Sequence, residues 1–213
     1  MAAMGMMLGA SWTATDTILT FAMWGVMMVG MMSPSATPML LIFGASRGRR
    51  VNVGAAPLVL LFGIGYVIVW LGFSAVATLA QWALQTNALL SPTMEATSAR
   101  FGGALLIAAG VYQLTPLKRA CLTHCQSPMA FLMSHWREGA SGALQMGLRH
   151  GIYCLGCCWA LMIVLFAVGV MNLVWVALLT AFILLERLAP AGALVARLGG
   201  VLLIGFGVAS LFR

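Results

Sequence analysis

All five cysteines of this 213-residue chain fall in two short runs. Cys154, Cys157 and Cys158 stand in HGIYCLGCCWALM, and Cys121 and Cys125 stand in CLTHC. On a helix, residues at i, i+3 and i+4 share a face with Cβ atoms about 5–6 Å apart. Cys154, Cys157 and Cys158 follow that spacing, and His150 extends the same face by one turn. CLTHC repeats it with Cys121, His124 and Cys125. Thiolates reaching a metal at about 2.3 Å and imidazoles at about 2.0–2.1 Å can converge from such a face. A single cysteine in an apolar helix is more often a small packing residue than a ligand. Two clusters, each with a histidine at helical spacing, reverse that balance in favour of metal or thiol chemistry.

Soft thiolates select Cu(I), Zn(II) or iron–sulfur clusters over hard ions. CLGCC on a helix lacks the loop spacing of a ferredoxin-type cluster, which leaves copper or zinc. The first apolar segment is dense in methionine: Met23, Met27 and Met31 form one i, i+4 row, Met28 and Met32 another, and Met39 follows. Thioethers are soft Cu(I) ligands, so such rows suit a conduction path, although methionine is equally a flexible filler of helix packing.

These residues need a scaffold, and composition dictates its kind. Hydrophobic residues make up 62% of the chain and charged ones 7%, with a mean hydropathy of +1.04. That is the composition of an all-α, polytopic membrane helix bundle forming a single integral domain over residues 1–213. A bilayer core about 30 Å thick needs about 20 apolar residues per helix. Runs of that kind predict about six spans: Ile18–Phe43, Ala56–Leu84, Phe101–Leu117, Gly151–Met171, Leu173–Leu188 and Gly192–Phe212. The third and fifth are short. Met1 to Ala10 lacks the basic region of a cleavable signal, so the first span is expected to be retained. Pro128 to Leu148 reads as an interfacial cytoplasmic helix between helices three and four.

Basic residues in short loops mark the cytoplasmic side. Arg47, Arg49 and Arg50 follow the first span; Lys118, Arg119, Arg137 and Arg149 follow the third; Arg187 and Arg197 lie between the fifth and sixth. These are alternate loops, which predicts both termini outside and, in a bacterium, an inner-membrane location. Both cysteine clusters then meet the same cytoplasmic depth, where a structural disulfide is disfavoured by the reducing compartment. The net charge of +7 is scattered over these loops and forms no nucleic-acid face.

Other residues carry weaker readings. Asp16 suits an N-cap, Glu186 and Arg187 an interfacial ion pair, and His135 the interface. Pro34 and Pro38 are expected to kink or break the first helix, with Ser33, Ser35 and Thr37 satisfying the freed carbonyls and the same breaks lining a small polar cavity towards the cysteines. Tyr112, Gln113 and Thr115 suit either orientation of the ligands or plain helix packing. Gly63, Gly65, Gly102, Gly103, Gly199, Gly200 and Gly205 read as close-packing positions. With carboxylates only at Asp16, Glu95, Glu138 and Glu186, and no Walker loop, dinucleotide fingerprint or nucleophile elbow, the sequence assigns no enzymatic reaction and no self-contained pump.

The stretches MMVGMMSPSATPM, YQLTPLKRACLTHCQSP and GLRHGIYCLGCCWALMIVLFAVGVMNL together resemble the DUF2182 family of bacterial membrane proteins over nearly the whole chain. Members are described as predicted metal-binding integral membrane proteins. The resemblance implies metal binding at Cys121, His124, Cys125, His150, Cys154, Cys157 and Cys158, without naming a reaction or a metal.

The sequence thus leads to a membrane metal-handling protein that binds copper or zinc with these seven residues, for transport or for delivery to a membrane or soluble protein partner. The alternative is a thiol redox protein exchanging disulfides between CLGCC and CLTHC, with Arg149, Lys118 and Arg119 favouring thiolates. A blander option is a subunit whose metal only holds helices together.

Overall fold

The computed structural model describes residues 12–48, 56–91 and 94–212. Met1 to Ala10, Arg49 and Arg50 lie outside the described residues. Among those described, eight helices and no strand form the fold: α1 (Ala14–Gly48), α2 (Ala56–Thr86), α3 (Ala99–Leu114), α4 (Pro116–Gln126), α5 (Pro128–His135), α6 (Gly139–Val168), α7 (Leu173–Leu188) and α8 (Gly192–Leu211). The all-helical expectation therefore holds. Four helices, α1, α2, α6 and α8, are long and apolar enough to cross a membrane. The 16 residues of α3 and of α7 extend about 24 Å at 1.5 Å per residue, short of a typical bilayer core. The count of four is thus what helix length supports, against the six apolar runs.

Local chemistry sets the boundaries. Thr13 and Asp16 form a reciprocal cap at the start of α1: the Asp16 N–H donates to Thr13 Oγ1 at 3.2 Å, and the Thr13 N–H donates to Asp16 Oδ2 at 3.0 Å. The N-cap is therefore Thr13, and the carboxylate sits three residues inside, where it meets the positive helix end. Thr115 ends α3 and caps α4, its hydroxyl accepting from the Lys118 N–H at 3.3 Å, and Pro116 stands in the first turn where its missing N–H costs nothing. CLTHC is accordingly helical.

Two expectations are corrected here. Helix α1 runs unbroken through Pro34 and Pro38. Proline removes the bonds to the carbonyls four residues earlier, those of Gly30 and Pro34, yet the nearby hydroxyls bond elsewhere: Ser33 to Val29 O, Ser35 to Met32 O and Thr37 to Ser33 O. The interfacial helix is also shorter than Pro128–Leu148. It ends at His135, and Gly139, with φ +79°, starts α6, which absorbs the remainder into one 30-residue helix.

Glycines fix two helix pairs. Across α2 and α6, a Cβ on Gly147 would lie 2.0 Å from the Phe62 carbonyl oxygen, and one on Gly65 would lie 2.4 Å from that of Leu144. Across α3 and α8, Gly103 faces the Gly207 carbonyl and Gly110 that of Gly200, at 2.7 and 2.6 Å. Backbones this close leave no room for a side chain. Gly63 and Gly205 meet nothing within 4 Å and are not close-packing positions. Replacing Gly147 by alanine is expected to destabilise the fold by about 1–3 kcal/mol, because backbone must move. Gly63→Ala serves as the control, and the difference is read as a lower thermal unfolding midpoint in detergent.

The core between α1, α2 and α6 buries Trp24, Met28, Met32, Trp70, Cys154, Cys158, Leu161 and Leu165. A buried hydrogen bond from Trp24 Nε1 to Gln81 Oε1, 2.8 Å, joins α1 to α2. The packing reading of the methionines thus holds for Met28 and Met32. Met31 is buried in the same core with Met23 and Met27 packed against it, and all three also line an open cleft of about 710 Å³ between α1 and α7, together with Val170 and Met171.

Candidate metal centre

Helix α6 points Cys154, Cys157 and Cys158 into the protein at no more than 2% exposure. The i, i+3, i+4 face is therefore the buried face, as the spacing predicts. Helix α4 crosses α6 and brings Cys125 Sγ to 3.9 Å from Cys157 Sγ. Cys121 lies a turn earlier, against Gly156: a Cβ there would meet the Cys121 sulfur at 2.8 Å. Burial, with Cys157 nearby, holds the Cys121 thiol above its ordinary pKa. The bond to Cys157 and then burial push the Cys125 thiol well above it. All five cysteines are free thiols.

The two histidines are held chiefly by aromatic rings. His124 stacks on Tyr153 with ring centroids 4.4 Å apart, and its Nδ1 lies 2.8 Å from the Ala120 carbonyl oxygen. A carbonyl partner on Nδ1 fixes the tautomer in which Nε2 carries no proton. His150 is 2% exposed and packs among Phe62, Tyr66 and Phe131, and among the described residues neither ring nitrogen has a hydrogen-bond partner. A buried imidazole without partners is costly in an apolar setting, and metal ligation is one way such a nitrogen is satisfied.

Three further groups complete the surroundings: the sequence singled out Met32 as a thioether and Arg187 as an interfacial charge, and it did not single out Tyr66. Tyr66 Oη lies 3.0 Å from Cys154 Sγ, linking α2 to the cluster. Met32 Sδ lies 3.9 Å from Cys158 Sγ, so one row of α1 thioethers reaches the thiols. Arg187 Nη2 donates to Cys154 Sγ at 2.9 Å and to Cys157 Sγ at 3.1 Å, and Nη1 donates to Ser35 Oγ at 2.6 Å. Ser35 thus reaches the cysteine site through Arg187, whereas Ser33 and Thr37 are exposed and the unbroken helix leaves no break to line a cavity. Tyr66 and Arg187 lie 88 and 33 residues from Cys154 in the chain, so no local spacing signals either contact.

The expected Glu186–Arg187 ion pair is not formed. Consecutive helical positions point about 100° apart, and the two side chains go to different partners. Glu186 accepts from Lys118 Nζ at 2.9 and 2.8 Å on its two oxygens and from Gln113 Nε2 at 2.9 Å. Lys118 also donates to Gln113 Oε1. Lys118 therefore neutralises Glu186, and the cation facing the thiols is Arg187. Gln113 belongs to this ionic network, while Tyr112 donates to the Gly156 carbonyl and packs edge-on to Trp159.

Among the described residues, no three Cys, His, Asp or Glu side chains already stand as a metal-ligand set. The sulfurs are gathered, and a guanidinium nitrogen stands between them. A family model described as PpoB2, copper chaperone, matches residues 21–210, which include every one of these groups. The chain belongs to the PpoB2 copper-chaperone family. That match carries copper and not zinc, and it does not carry the DUF2182 name. No curated protein and no solved structure matches the chain. For a PpoB2 protein whose helices are long and apolar enough to span a bilayer, copper is the cargo to test against the buried thiols, and metal handling at a membrane is its role.

Proposed function

We propose that this chain is a multi-pass membrane copper chaperone that holds Cu(I) on Cys154, Cys157 and Cys158 of α6 and Cys125 of α4. Cys121, His124 and His150 serve as flanking ligands during loading or hand-over to a protein partner. The observation that carries the reading is the gathering of four buried or partly buried sulfurs from two helices, within a chain of a copper-chaperone family. Buried thiolates and a neighbouring thioether suit Cu(I), which is soft and accepts few ligands. With α3 and α7 also counted as crossings, the alternation of basic loops supports an orientation with both termini outside and the site near the cytoplasmic face, in an inner membrane if the source is bacterial.

The experiment is elemental analysis of protein purified without chelators, beside a Cys154→Ser/Cys157→Ser variant. About one equivalent of copper in the parent, lost in the variant, is expected. Zinc in place of copper would overturn the metal. The 3.9 Å approach of Cys125 to Cys157 favours one second reading, thiol–disulfide exchange between α4 and α6. Absence of any metal, with a reversible Cys125–Cys157 disulfide, would replace the first reading by that one.

A further inference from the structure

Arg187 Nη2 lies 2.9, 3.1 and 3.8 Å from the sulfurs of Cys154, Cys157 and Cys158 and 3.3 Å from the Cys154 carbonyl oxygen. One nitrogen atom thus occupies the space towards which all three α6 thiols converge. A guanidinium is permanently charged, and a buried charge without a counter-charge costs several kcal/mol. Glu186, the adjacent carboxylate, is committed to Lys118. The sulfurs are what faces the Arg187 charge.

Resting on the proposal that these thiols take Cu(I), we infer that Arg187 is a built-in substitute for the metal: guanidinium and Cu(I) alternate at the same sulfurs. A metal at about 2.3 Å from these atoms and a guanidinium nitrogen at 2.9–3.8 Å cannot share the space. The charge balance is one for one. Counted over sulfurs of α6 that are already thiolates, Cu(I) enters with +1 as the guanidinium leaves with +1, and any thiol that joins as a further ligand releases its proton to solvent. The side chain has somewhere to go. Arg187 is the next-to-last residue of α7, and its aliphatic stem lets the head group withdraw to the interface beside Ala189–Ala191. Its return displaces the ion. The arginine therefore lowers resting affinity and drives release, the two properties that delivery needs and storage does not.

The test measures Cu(I) affinity by competition with a chromogenic Cu(I) chelator, and the rate of transfer from loaded protein to that chelator, for the parent, Arg187→Met and Arg187→Lys. Removing a competing cation is expected to raise Cu(I) affinity by at least about fivefold, within the usual range of coupling between two bound species, and to slow transfer correspondingly. Lysine restores the competing charge and brings both values back towards the parent. Ser35→Ala, which removes the 2.6 Å bond on Nη1, loosens the guanidinium without removing it and is expected to move affinity the same way by a smaller factor. It answers the question even if Arg187→Met does not fold. Weaker or unchanged Cu(I) binding in Arg187→Met, or in Ser35→Ala alone, overturns the inference and leaves the copper site standing. A parent that binds no Cu(I) overturns both.

Discussion

Replacing Lys118 by methionine is expected to destabilise the folded protein by about 3–5 kcal/mol, the cost of leaving one member of a buried ion pair alone. The Lys118 and Glu186 side chains are 0% and 2% exposed, and the pair ties α4 to α7 with Gln113 of α3 bonded to the same carboxylate. Once the ammonium is gone, Glu186 keeps a charge that one amide cannot offset, and water does not reach it. For a chain of this length such a loss lowers the unfolding midpoint by about 6–20 °C, measurable in detergent. The double variant Lys118→Met/Glu186→Met removes both charges and is expected to recover most of the loss, since a buried pair often contributes little beyond a well-packed apolar substitute. A single variant that melts with the parent would mean that water or lipid headgroups reach Glu186.

Cys157→Ser is the second large effect: more than about tenfold weaker Cu(I) binding, because residues that only orient a ligand already cost 10–100-fold. Its sulfur is the junction of the site, 3.9 Å from Cys125 on α4 and 3.1 Å from the Arg187 guanidinium. A hydroxyl in its place is hard where the ion is soft. Cys121→Ser is the contrast, since Cys121 packs beside Gly156, around the helix from the three inward thiols. A chelator competition series in which the two variants fall equally would contradict the geometry. It would point to a site centred on α4.

The sequence was informative wherever one helix carries the signal. Cys154, Cys157 and Cys158 share a face because a 3.6-residue period requires it, and that face is buried. The all-helical fold follows from hydropathy, although the third apolar run, read through to Leu117, hid the break at Thr115 where α3 ends and α4 is capped. What escaped depends on crossings between helices distant in the chain. Arg187 counts as a topological charge at the end of an apolar run, and nothing local says that it turns towards α6. Glu186 as its neighbour suggested a pair, although the 100° step between adjacent helical positions argues against one. Pro34 and Pro38 signalled a break that tertiary packing of α1 against α2 overrides. The length of the interfacial helix was misjudged because an apolar run cannot tell where one helix ends and the next begins, and the positive φ at Gly139 is not written in hydropathy.

The glycine contacts divide the molecule mechanically. The thiols ride on α6, which is clamped to α2 backbone against backbone at Gly65 and Gly147. The cation rides on α7, which buries only Leu179, Ile183, Glu186 and Arg187 and leaves Leu173, Val174, Trp175 and Leu178 exposed. A stiff frame therefore carries the sulfurs, and a lever pinned near its inner end by Lys118 and Glu186 carries the positive charge. A load applied to the outer end of that lever, by lipid or by a docking protein, reaches the sulfurs as a rotation of one side chain while the frame stays still.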